Sequence, residues 1–596
     1  MIDLFLSRQT HFQQCADAAQ RQHNTLSLWR VIAFFATIIA GWLLGQANQT
    51  AASVGVGVVG LVVFLWLLKR HQAVGRARDL HRNRVFINQD EAARIDRRYL
   101  RPETGAEFLS PTHSYSSDLD VFGWHSLFQL LNRTHTHNGR QRLANWLQRL
   151  PTDMAQIHFR QQATTDLLPQ TDWRQDLEAL ARQNERVGQN PESLRKWSAE
   201  TTRLPGWLNF VRVALPLLTI ALISLWLGGF LPGYAVLFSL TLHGLVLRQV
   251  AAQAKEVSEQ TYEIASALTA FRDMFALIEN VEGNSPLVRN LRQLLKNGPK
   301  SASHATAQLA GLVENFNFRR NPYFMLLVGI LLLWDVQYLL ALNQWRKQYG
   351  PSLPDWFDAL AEAEALNSLA GFSFAHPGYA IPNLMEDDGL FLEATEAAHP
   401  LIRPVKSVAN SLTLNGPGRT ILITGSNMSG KSTFLRTLGA NVVLALAGAV
   451  VSAERFACSP VRVFTSMRTQ DSLEESTSSF YAELKRLQVL IQQTETDTNP
   501  PVLYFLDEIL KGTNSADRHR GAEALIRQLH KTTASGFVST HDLELGVLAV
   551  DTDFVQNFHF QSDFQDGTLL FDYRLRDGLC RSFNASQLMR SIGIDM

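Results

Sequence analysis

The chain has 596 residues, enough for several domains, and its 55 basic and 55 acidic side chains give a formal net charge of zero. No overall basic field therefore indicates nucleic acid as a partner. The cysteines, Cys15, Cys458 and Cys580, lie far apart in the sequence, which excludes a disulfide framework and a cysteine-based zinc site and fits a reducing compartment.

An amphipathic segment, residues 1–28, precedes two apolar runs within residues 29–70. Val31 to Leu44 and Ala51 to Leu68 approach the length of about 20 residues that crosses a bilayer as a helix. The turn between them, residues 45–50, carries no charge, whereas arginines and a lysine flank the outer ends. By the positive-inside rule we predict a transmembrane hairpin that leaves the cytoplasm and returns to it. The alternative is a hairpin buried in a helical core.

A basic linker is predicted over residues 71–116, followed by the first part of a helical core over residues 117–204. A second transmembrane hairpin follows over residues 205–249, with apolar runs from Val213 to Leu231 and from Tyr234 to Leu247 and a charge-free turn between them. Residues 250–370 then continue the core and supply lever helices.

Three short basic stretches stand out against the neutral composition: residues 76–84, 94–101 and 133–142. Two of them lie close to predicted membrane exits, where anionic lipid accounts for them as well as DNA does. Both partners remain open at this point.

A fifth apolar stretch, Phe324 to Leu342, contains Asp335. A carboxylate is costly inside a bilayer. A fifth crossing would also place everything that follows on the far side of the membrane. We therefore predict a helix that does not span, either buried in the core or lying at the interface.

An α/β domain is predicted over residues 371–596, and it contains a phosphate-binding loop. A β-rich run, Thr420 to Thr424, leads into a G-x-x-x-x-G-K-S sequence from Gly425 to Ser432, and a helical pattern follows. Such a loop directs backbone N–H groups and a helix N-terminus at phosphates. Lys431 is predicted to reach the β- and γ-phosphates, and Ser432 to bind Mg²⁺.

Two further strand ends complete the predicted site. The apolar run from Val502 to Leu506 ends in Asp507 and Glu508, which can bind Mg²⁺ and polarise the attacking water. Another short strand ends in His541, a candidate sensor of the γ-phosphate. The predicted catalytic residues are Glu508, His541 and Lys431, and the predicted metal ligands are Ser432 and Asp507.

These residues resemble those of the MutS family of DNA mismatch-repair ATPases. The loop from Thr424 to Thr433 is similar to the family's G-P-N-M-G-G-K-S-T, with Asn427 and Met428 as its distinguishing pair. Leu506 to Ser515 resembles D-E-I-G-R-G-T-S, and Ser539 to His541 resembles A-T-H. The segment from Asp471 to Phe480 is similar to the signature that completes the partner subunit's site. Weaker similarity extends upstream, over roughly residues 117–200 and from residue 255 onward.

The resemblance implies the remaining site residues and the fold class. Ser478 falls on the serine that contacts the γ-phosphate across the subunit boundary, and His399 falls near the adenine. The implied nucleotide-binding set is Gly425, Ser426, Asn427, Met428, Ser429, Gly430, Lys431, Ser432, Thr433, Ser478 and His399. Together with the predicted hairpins, the resemblance gives the fold class as α plus α/β: an all-helical core domain with transmembrane helical hairpins, followed by a C-terminal ABC-type P-loop ATPase domain.

This sequence departs from the family pattern at positions that bear on ATPase activation and on mismatch recognition. Ser476 and Thr477 replace the usual Gly-Arg before the signature serine, so activation across the dimer is expected to differ. No mismatch-reading domain is evident. The triplet Phe391 to Glu393 matches the Phe-x-Glu of mismatch readers but is predicted to form an edge strand.

The resemblance predicts a Mg²⁺-dependent ATPase that works as a homodimer. The apolar hairpins add that it is a multi-pass protein of the cytoplasmic (inner) membrane, with its ATPase domain in the cytoplasm. ATP drives the conformational change, which is coupled to DNA of a particular structure in repair or recombination. The alternative is a membrane ATPase that acts on lipid or on a protein partner and has no DNA role.

Overall fold

The computed structural model describes residues 1–183, 194, 196–198, 204–262, 265–385, 389–426, 428–468, 479–495, 500–565 and 568–580. Over these residues the chain is mostly helical up to residue 375 and then forms mixed α/β sheets, which confirms the predicted order of an α region followed by an α/β region.

The first hairpin consists of two long helices, α1 (Ile2–Gln46) and α2 (Thr50–Ile95), which pack side by side. A Cβ at Gly60 would lie 2.2 Å from the Thr37 side chain, so the glycine permits the close approach of the two helices. No proline interrupts either helix. The predicted amphipathic segment is therefore the first part of α1, and the predicted basic linker is helical as far as Ile95.

Helices from both halves of the sequence form the core beneath this hairpin. The first group lies before the second hairpin: α3 (Leu127–Leu131), α4 (His137–Gln148), α5 (Met154–Leu167) and α6 (Thr171–Gln183). The second hairpin is α7 (Leu208–Leu227) and α8 (Tyr234–Tyr262), and α8 continues well past the predicted boundary at residue 249. The later core helices are α9 (Ala265–Glu279), α10 (Pro286–Lys296), α11 (Ala302–Phe316), α12 (Trp334–Tyr349) and α13 (Leu353–Ala375).

A proline fixes the second hairpin to the core. Pro216 lies inside α7 and has no N–H, so the carbonyl of Arg212, one turn earlier, loses its helical donor. The Gln337 side chain on α12 supplies the donor instead, with its Nε2 2.7 Å from that carbonyl oxygen. The hairpin and the core therefore share a hydrogen bond at the point where the helix cannot make its own.

The predicted single helix from Phe324 to Leu342 is wrong, because the chain breaks within it. A short helical stretch, Pro322–Gly329, ends before Leu333, whose φ is 48°. The helical segment that follows, Trp334–Ala375, is bent by 93° from that stretch. The turn brings Asp335 onto Arg319, with oxygen–nitrogen distances of 3.0 and 3.1 Å. Asp335 is buried and paired, as a carboxylate in an apolar setting must be.

Within the part of the chain that the structure describes, four helices are long and apolar enough to cross a membrane, namely α1, α2, α7 and α8. The bent pair adds a fifth if it is counted as one span. The most apolar windows of the four helices are only 0, 6, 17 and 22% buried. Most of their apolar surface therefore faces outward, where a lipid phase or another protein surface would have to cover it.

The α/β region contains two sheets. A four-stranded sheet has the order β1-β5-β2-β3, and a six-stranded sheet has the order β10-β9-β4-β8-β7-β6. The strands are β1 (Asn383–Leu384), β2 (Phe391–Ala397), β3 (Asn410–Asn415), β4 (Thr420–Gly425), β5 (Arg455–Cys458), β6 (Arg462–Ser466), β7 (Val502–Asp507), β8 (Ser535–Thr540), β9 (Val555–Gln565) and β10 (Thr568–Asp577). The Phe391 to Glu393 triplet lies in β2, between β5 and β3, and not in the predicted edge strand.

Four helices accompany these sheets: α14 (Lys431–Ala447), α15 (Ser479–Glu495), α16 (Ser515–His530) and the short α17 (Leu548–Asp551). Strands β4, β8, β7 and β6 are parallel to one another, and β4 and β8 are buried along their whole length. The carboxyl ends of parallel neighbours meet at one edge, where ligands bind in open α/β sheets.

Candidate nucleotide-binding site

Three neighbouring strands of the six-stranded sheet deliver the predicted site residues to one edge. β4 ends at Gly425 and leads through the loop to α14, while β7 ends at Asp507 and β8 at Thr540. β8 pairs with both β4 and β7, so segments far apart in sequence become adjacent.

The loop between β4 and α14 has the conformation that its glycines permit. Gly425 has a φ of 150° and Gly430 a φ of 105°, both in the region that disfavours a side chain. Met428 also has a positive φ, 67°, and its side chain is exposed. Asn427 lies outside the described residues. The loop is therefore held in a strained turn directly before a helix N-terminus, a geometry suited to anions.

Lys431 is buried beneath this loop. Its Nζ donates to the carbonyl oxygens of Gly425 and Ser426, each at 3.0 Å, and lies 3.5 Å from His541 Nε2. Burial lowers the pKa of Lys431, and the charges of Glu508 and Asp507 oppose that change. The ammonium group is thus held at the loop by groups that favour its charged form.

Glu508 sits between two basic side chains. Its Oε1 lies 2.7 Å from His541 Nε2, and its Oε2 lies 2.7 Å from Lys511 Nζ. The hydrogen bond with His541, followed by the contact with Lys511, lowers the pKa of Glu508 to about 2 against the opposing effect of burial. The carboxylate is therefore ionised at neutral pH and can accept a hydrogen bond from water.

Hydrogen bonds across the sheet fix the strand ends around Glu508. Its backbone N–H donates to the Ser539 carbonyl at 3.0 Å, and its φ of 50° is unusual for a residue with a side chain. The Ser539 hydroxyl donates to Asp507 Oδ1. The backbone N–H of Leu510 donates to Glu483 on α15. The segment after β7 is thus tied to β8 and to the helix that follows the predicted signature.

A cavity of about 630 Å³ opens over the loop. Residues of the loop and α14 form one wall, and residues 397–410 together with Tyr573 form the other. Burial lowers the pKa of His399, which lines this cavity, to about 4, so its imidazole is neutral at physiological pH. The volume is in the range of small-molecule sites.

Tyr573 is a residue that the sequence analysis did not assign. It lies in a register shift of β10, with a φ of 54°, and a Cβ added at Gly430 would lie 3.1 Å from its ring. Asn410 fixes this irregularity, because its Nδ2 donates to the Tyr573 carbonyl at 3.0 Å and its Oδ1 accepts from the Leu575 N–H at 2.7 Å. An aromatic ring at the cavity wall can stack on a base.

The cavity suits a nucleoside polyphosphate and a divalent cation. Ser429 Oγ is buried and finds no hydrogen-bond partner among the described residues, so a donor is available at the loop. Lys431 and the N-terminus of α14 supply positive charge for phosphates. Ser432 lines the cavity, and Ser432 and Asp507 offer the oxygen ligands that Mg²⁺ prefers.

The structure thus gathers most of the predicted residues. His399, Met428, Ser429, Gly430, Lys431, Ser432, Thr433 and Glu508 all line the one cavity. Gly425, Ser426 and His541 contact Lys431 from beneath. Ser478 and the signature segment around it lie outside the described residues. Lys511 and Glu483 were not assigned beforehand, since their roles depend on the fold of the segment after β7.

A strand, a glycine-bearing loop, a helix N-terminus with its lysine and an adjacent strand-end carboxylate are the features of a P-loop nucleotide-binding site. The family model "MutS domain V" matches residues 421–593, which include the loop and both strand ends. In this C-terminal region the chain is similar to MutS-family proteins, which confirms the resemblance there.

Relatives with this similarity occur in archaea and bacteria. "DNA mismatch repair protein MutS 2" of Halobacterium salinarum is 32% identical over 240 residues, 40% of this chain and 27% of that protein. "DNA mismatch repair protein MutS" of Bacillus subtilis is 30% identical over 240 residues, 39% of this chain and 27% of that protein. "Endonuclease MutS2" of Bacillus velezensis is 30% identical over 240 residues, 39% and 30% of the two chains. The chain thus spans under a third of the length of each of these relatives.

Proposed function

We propose that this protein is a membrane-anchored, Mg²⁺-dependent ATPase of the MutS family that works as a homodimer and couples its ATP cycle to DNA binding. The observation that carries the ATPase part is the arrangement of Lys431, Glu508 and His541 at one sheet edge beneath a cavity of nucleotide size. The relatives are named for DNA mismatch repair, and their likeness to this chain is confined to its C-terminal part.

In this proposal each side chain has a distinct task. Lys431 and the loop N–H groups bind and orient the phosphates, and Ser432 and Asp507 hold Mg²⁺, which supplies positive charge to them. Glu508 accepts a hydrogen bond from the attacking water and orients it. His541, which contacts both Glu508 and Lys431, changes position with the phosphate charge. Ser478 of one subunit completes the site of the other.

The proposed membrane anchor consists of α1 with α2 and α7 with α8. Their outward apolar surface and the charge-free turns support two hairpins with both ends on the cytoplasmic side. We therefore propose a multi-pass protein of the cytoplasmic (inner) membrane with its ATPase domain in the cytoplasm.

Native Cys15 offers a direct test of this topology. It is partly exposed on α1, whereas Cys458 and Cys580 are buried. A membrane-impermeant maleimide should label Cys15 in inverted membrane vesicles but not in right-side-out vesicles. Gln49→Cys, in the hairpin turn, should give the opposite pattern in a Cys15→Ser background. Labelling of both positions from the same side would contradict the topology.

One observation favours the alternative in which lipid or a protein is the partner and DNA is not. Four arginines in two of the three basic stretches are buried inside the protein. These are Arg94, Arg97, Arg101 and Arg133, each 2–4% exposed. Arg133 pairs with Glu91 at 2.6 Å, and Arg94 pairs with Asp90 at 2.8 Å. Side chains held inside the protein do not contact phosphate backbones, so these four arginines do not contribute to a DNA surface.

ATP turnover decides between the two functions. The full chain in nanodiscs would be assayed with and without branched DNA at low salt, and then with anionic and neutral lipid, with Lys431→Ala as the inactive control. Stimulation by DNA that weakens as salt rises supports DNA coupling, since counterion release makes such binding salt-dependent. Stimulation by anionic lipid without any effect of DNA supports the alternative. Turnover that Lys431→Ala leaves intact would contradict the assignment of the site.

A further inference from the structure

Arg97 connects the first hairpin to the nucleotide cavity. It follows the last residue of α2 by two positions, and its side chain is 4% exposed. Its Nε donates to the carbonyl of Pro400 at 2.6 Å. Its two terminal nitrogens contact His376 Nε2 at 3.0 Å and the Tyr379 hydroxyl at 2.8 Å. A single guanidinium thus joins the end of a hairpin helix to the start of the α/β region.

The Pro400 carbonyl lies in a segment that supplies two residues to the wall of the cavity. His399, the preceding residue, lines the cavity, and Ile402 lines it two residues later. His399 Nδ1 accepts the Leu401 N–H at 3.2 Å, so this segment is one compact turn. Because Arg97 holds the turn from behind, a displacement of Arg97 moves the wall that faces a bound nucleotide.

The side chain of Arg97 has little freedom to absorb such a displacement. Its backbone φ is 58°, in the left-handed region that residues with a side chain rarely adopt. The buried contacts hold it there. Its guanidinium donates to the carbonyls at the end of α2 as well as to the 376–379 segment and to Pro400, which fixes both its position and its orientation.

α2 enters this region as a rigid element. Asp90 and Arg94 form a buried pair one turn apart, and Glu91 forms a bidentate pair with Arg133, at 2.6 and 2.8 Å. The Asn88 and Gln175 side chains also hydrogen-bond to each other. With 46 residues in α2, the helix is about 69 Å long. The apolar half of α2 and its end next to Arg97 therefore move together as one continuous helix.

We infer that Arg97 is a positioning residue that couples the tilt of the first hairpin to the nucleotide cavity, so that ATP affinity depends on the bilayer around the hairpin. This inference rests on the proposed membrane anchoring and ATP binding. A helix adjusts its tilt to the hydrocarbon thickness of the bilayer at a modest energetic cost. By thermodynamic linkage, bound ATP shifts the preferred tilt in return.

The test compares ATP dissociation constants in nanodiscs of short-chain and long-chain phosphatidylcholine. For the full wild-type chain we expect Kd to differ by about fivefold between the two, the lower end of ordinary allosteric coupling. Arg97→Lys keeps the positive charge but loses the planar guanidinium with its several donors. This variant should bind ATP with a Kd that no longer depends on the bilayer. Tyr379→Phe removes one acceptor by a mild change and should reduce the dependence.

The neighbouring Arg98 provides the matched control. Its side chain is 63% exposed and, among the described residues, forms an ion pair with Asp96 at 3.2 Å. Arg98→Lys should therefore retain the full dependence on the bilayer. A merely structural loss at Arg97 would weaken binding equally in both bilayers, whereas the proposed role predicts loss of the difference between them.

The outcomes separate this inference from the proposed function. Wild-type protein that binds ATP equally well in both bilayers overturns the coupling but leaves the ATPase proposal intact. A difference in Kd between the two bilayers that persists in full in Arg97→Lys likewise overturns the coupling and leaves the ATPase proposal intact. Wild-type protein that binds no more ATP than Lys431→Ala overturns the proposed function, and the coupling falls with it.

Discussion

Glu508 is held from both sides by basic groups, and this arrangement governs how the carboxylate titrates. His541 contributes most to its low pKa, and Lys511 contributes next. The Lys511 contact is half exposed, so solvent screens it, and it is open to adjustment. Lys511 stands where the family pattern has arginine, which makes this contact a feature of the present sequence.

Replacing Lys511 by glutamine should shift the acid limb of ATP hydrolysis. Removal of the cation raises the pKa of Glu508, so activity that needs the carboxylate is lost at a higher pH. For a partly exposed pair worth up to about 1 kcal/mol, the shift is at most about 0.7 pH units. The pH–rate profile, extended down to about pH 2 where the wild-type carboxyl titrates, measures it. Lys531→Gln, at an exposed helix end, should leave the profile unchanged, and an unshifted Lys511→Gln profile would contradict the role.

Tyr573 provides a second prediction at this scale. If its ring stacks on the base, Tyr573→Ala removes about 1 kcal/mol of aromatic contact and weakens nucleotide affinity about fivefold to tenfold. Tyr573→Phe keeps the ring and should bind as the wild type does. Equilibrium binding of a fluorescent ATP analogue measures both variants. Equal weakening by the two variants would show that the hydroxyl matters and the ring does not.

At the scale of helices and strands, prediction from the sequence was right for some elements and wrong for others. Long uninterrupted apolar runs with charge-free turns gave the two hairpins, because hydropathy and charge are local properties. The break at Leu333 could not be predicted in this way, since it depends on the pairing of Asp335 with Arg319, which the fold creates. The burial of Arg94 and Arg133 was missed for the same reason, because their partners are set by helix packing.

The candidate site likewise combines residues that the sequence predicts with residues that only the fold brings in. The loop and the strand ends carry their own sequence pattern, and parallel pairing then brings them together. Tyr573 and Glu483 reach the site only through a register shift and a helix contact, and neither leaves a pattern in the sequence.

The hydrogen bond between α12 and the second hairpin gives a prediction for these elements. Gln337→Ala leaves the Arg212 carbonyl without its donor and should cost about 1–3 kcal/mol of stability. In a Pro216→Ala background, the new backbone N–H can bond to that carbonyl, so the same substitution should cost less. Thermal unfolding of the four proteins of this cycle in nanodiscs measures the difference. Equal costs in both backgrounds would rule out the proposed compensation.

Over the whole molecule, two buried histidines make stability depend on pH. The pKa of His376 falls to about 3 and that of His399 to about 4, in both cases chiefly because of burial. In the unfolded chain each has its ordinary pKa of 6.5. The unfolded state therefore binds more protons below pH 6.5, and stability present at higher pH is lost as the pH falls toward 4.

The size of this effect can be measured by chemical unfolding at pH 7 and pH 5. Each histidine should contribute a loss of up to about 1.4 kcal/mol for each pH unit below its ordinary pKa. His376→Gln should flatten the dependence, while His137→Gln, an exposed position, should not. A variant at His376 with the full wild-type slope would contradict the assignment.

The two hairpins also restrict how copies of the chain can pair. In the proposed topology each hairpin begins and ends on the cytoplasmic side, so the helical core and the ATPase domain lie in one compartment. Two copies in one membrane can then be related only by a rotation about the membrane normal, because a rotation about any in-plane axis would carry one ATPase domain to the opposite face. The homodimer proposed for composite ATP hydrolysis is consequently a side-by-side pair, and its assembly is a two-dimensional encounter set by the density of the protein in the membrane.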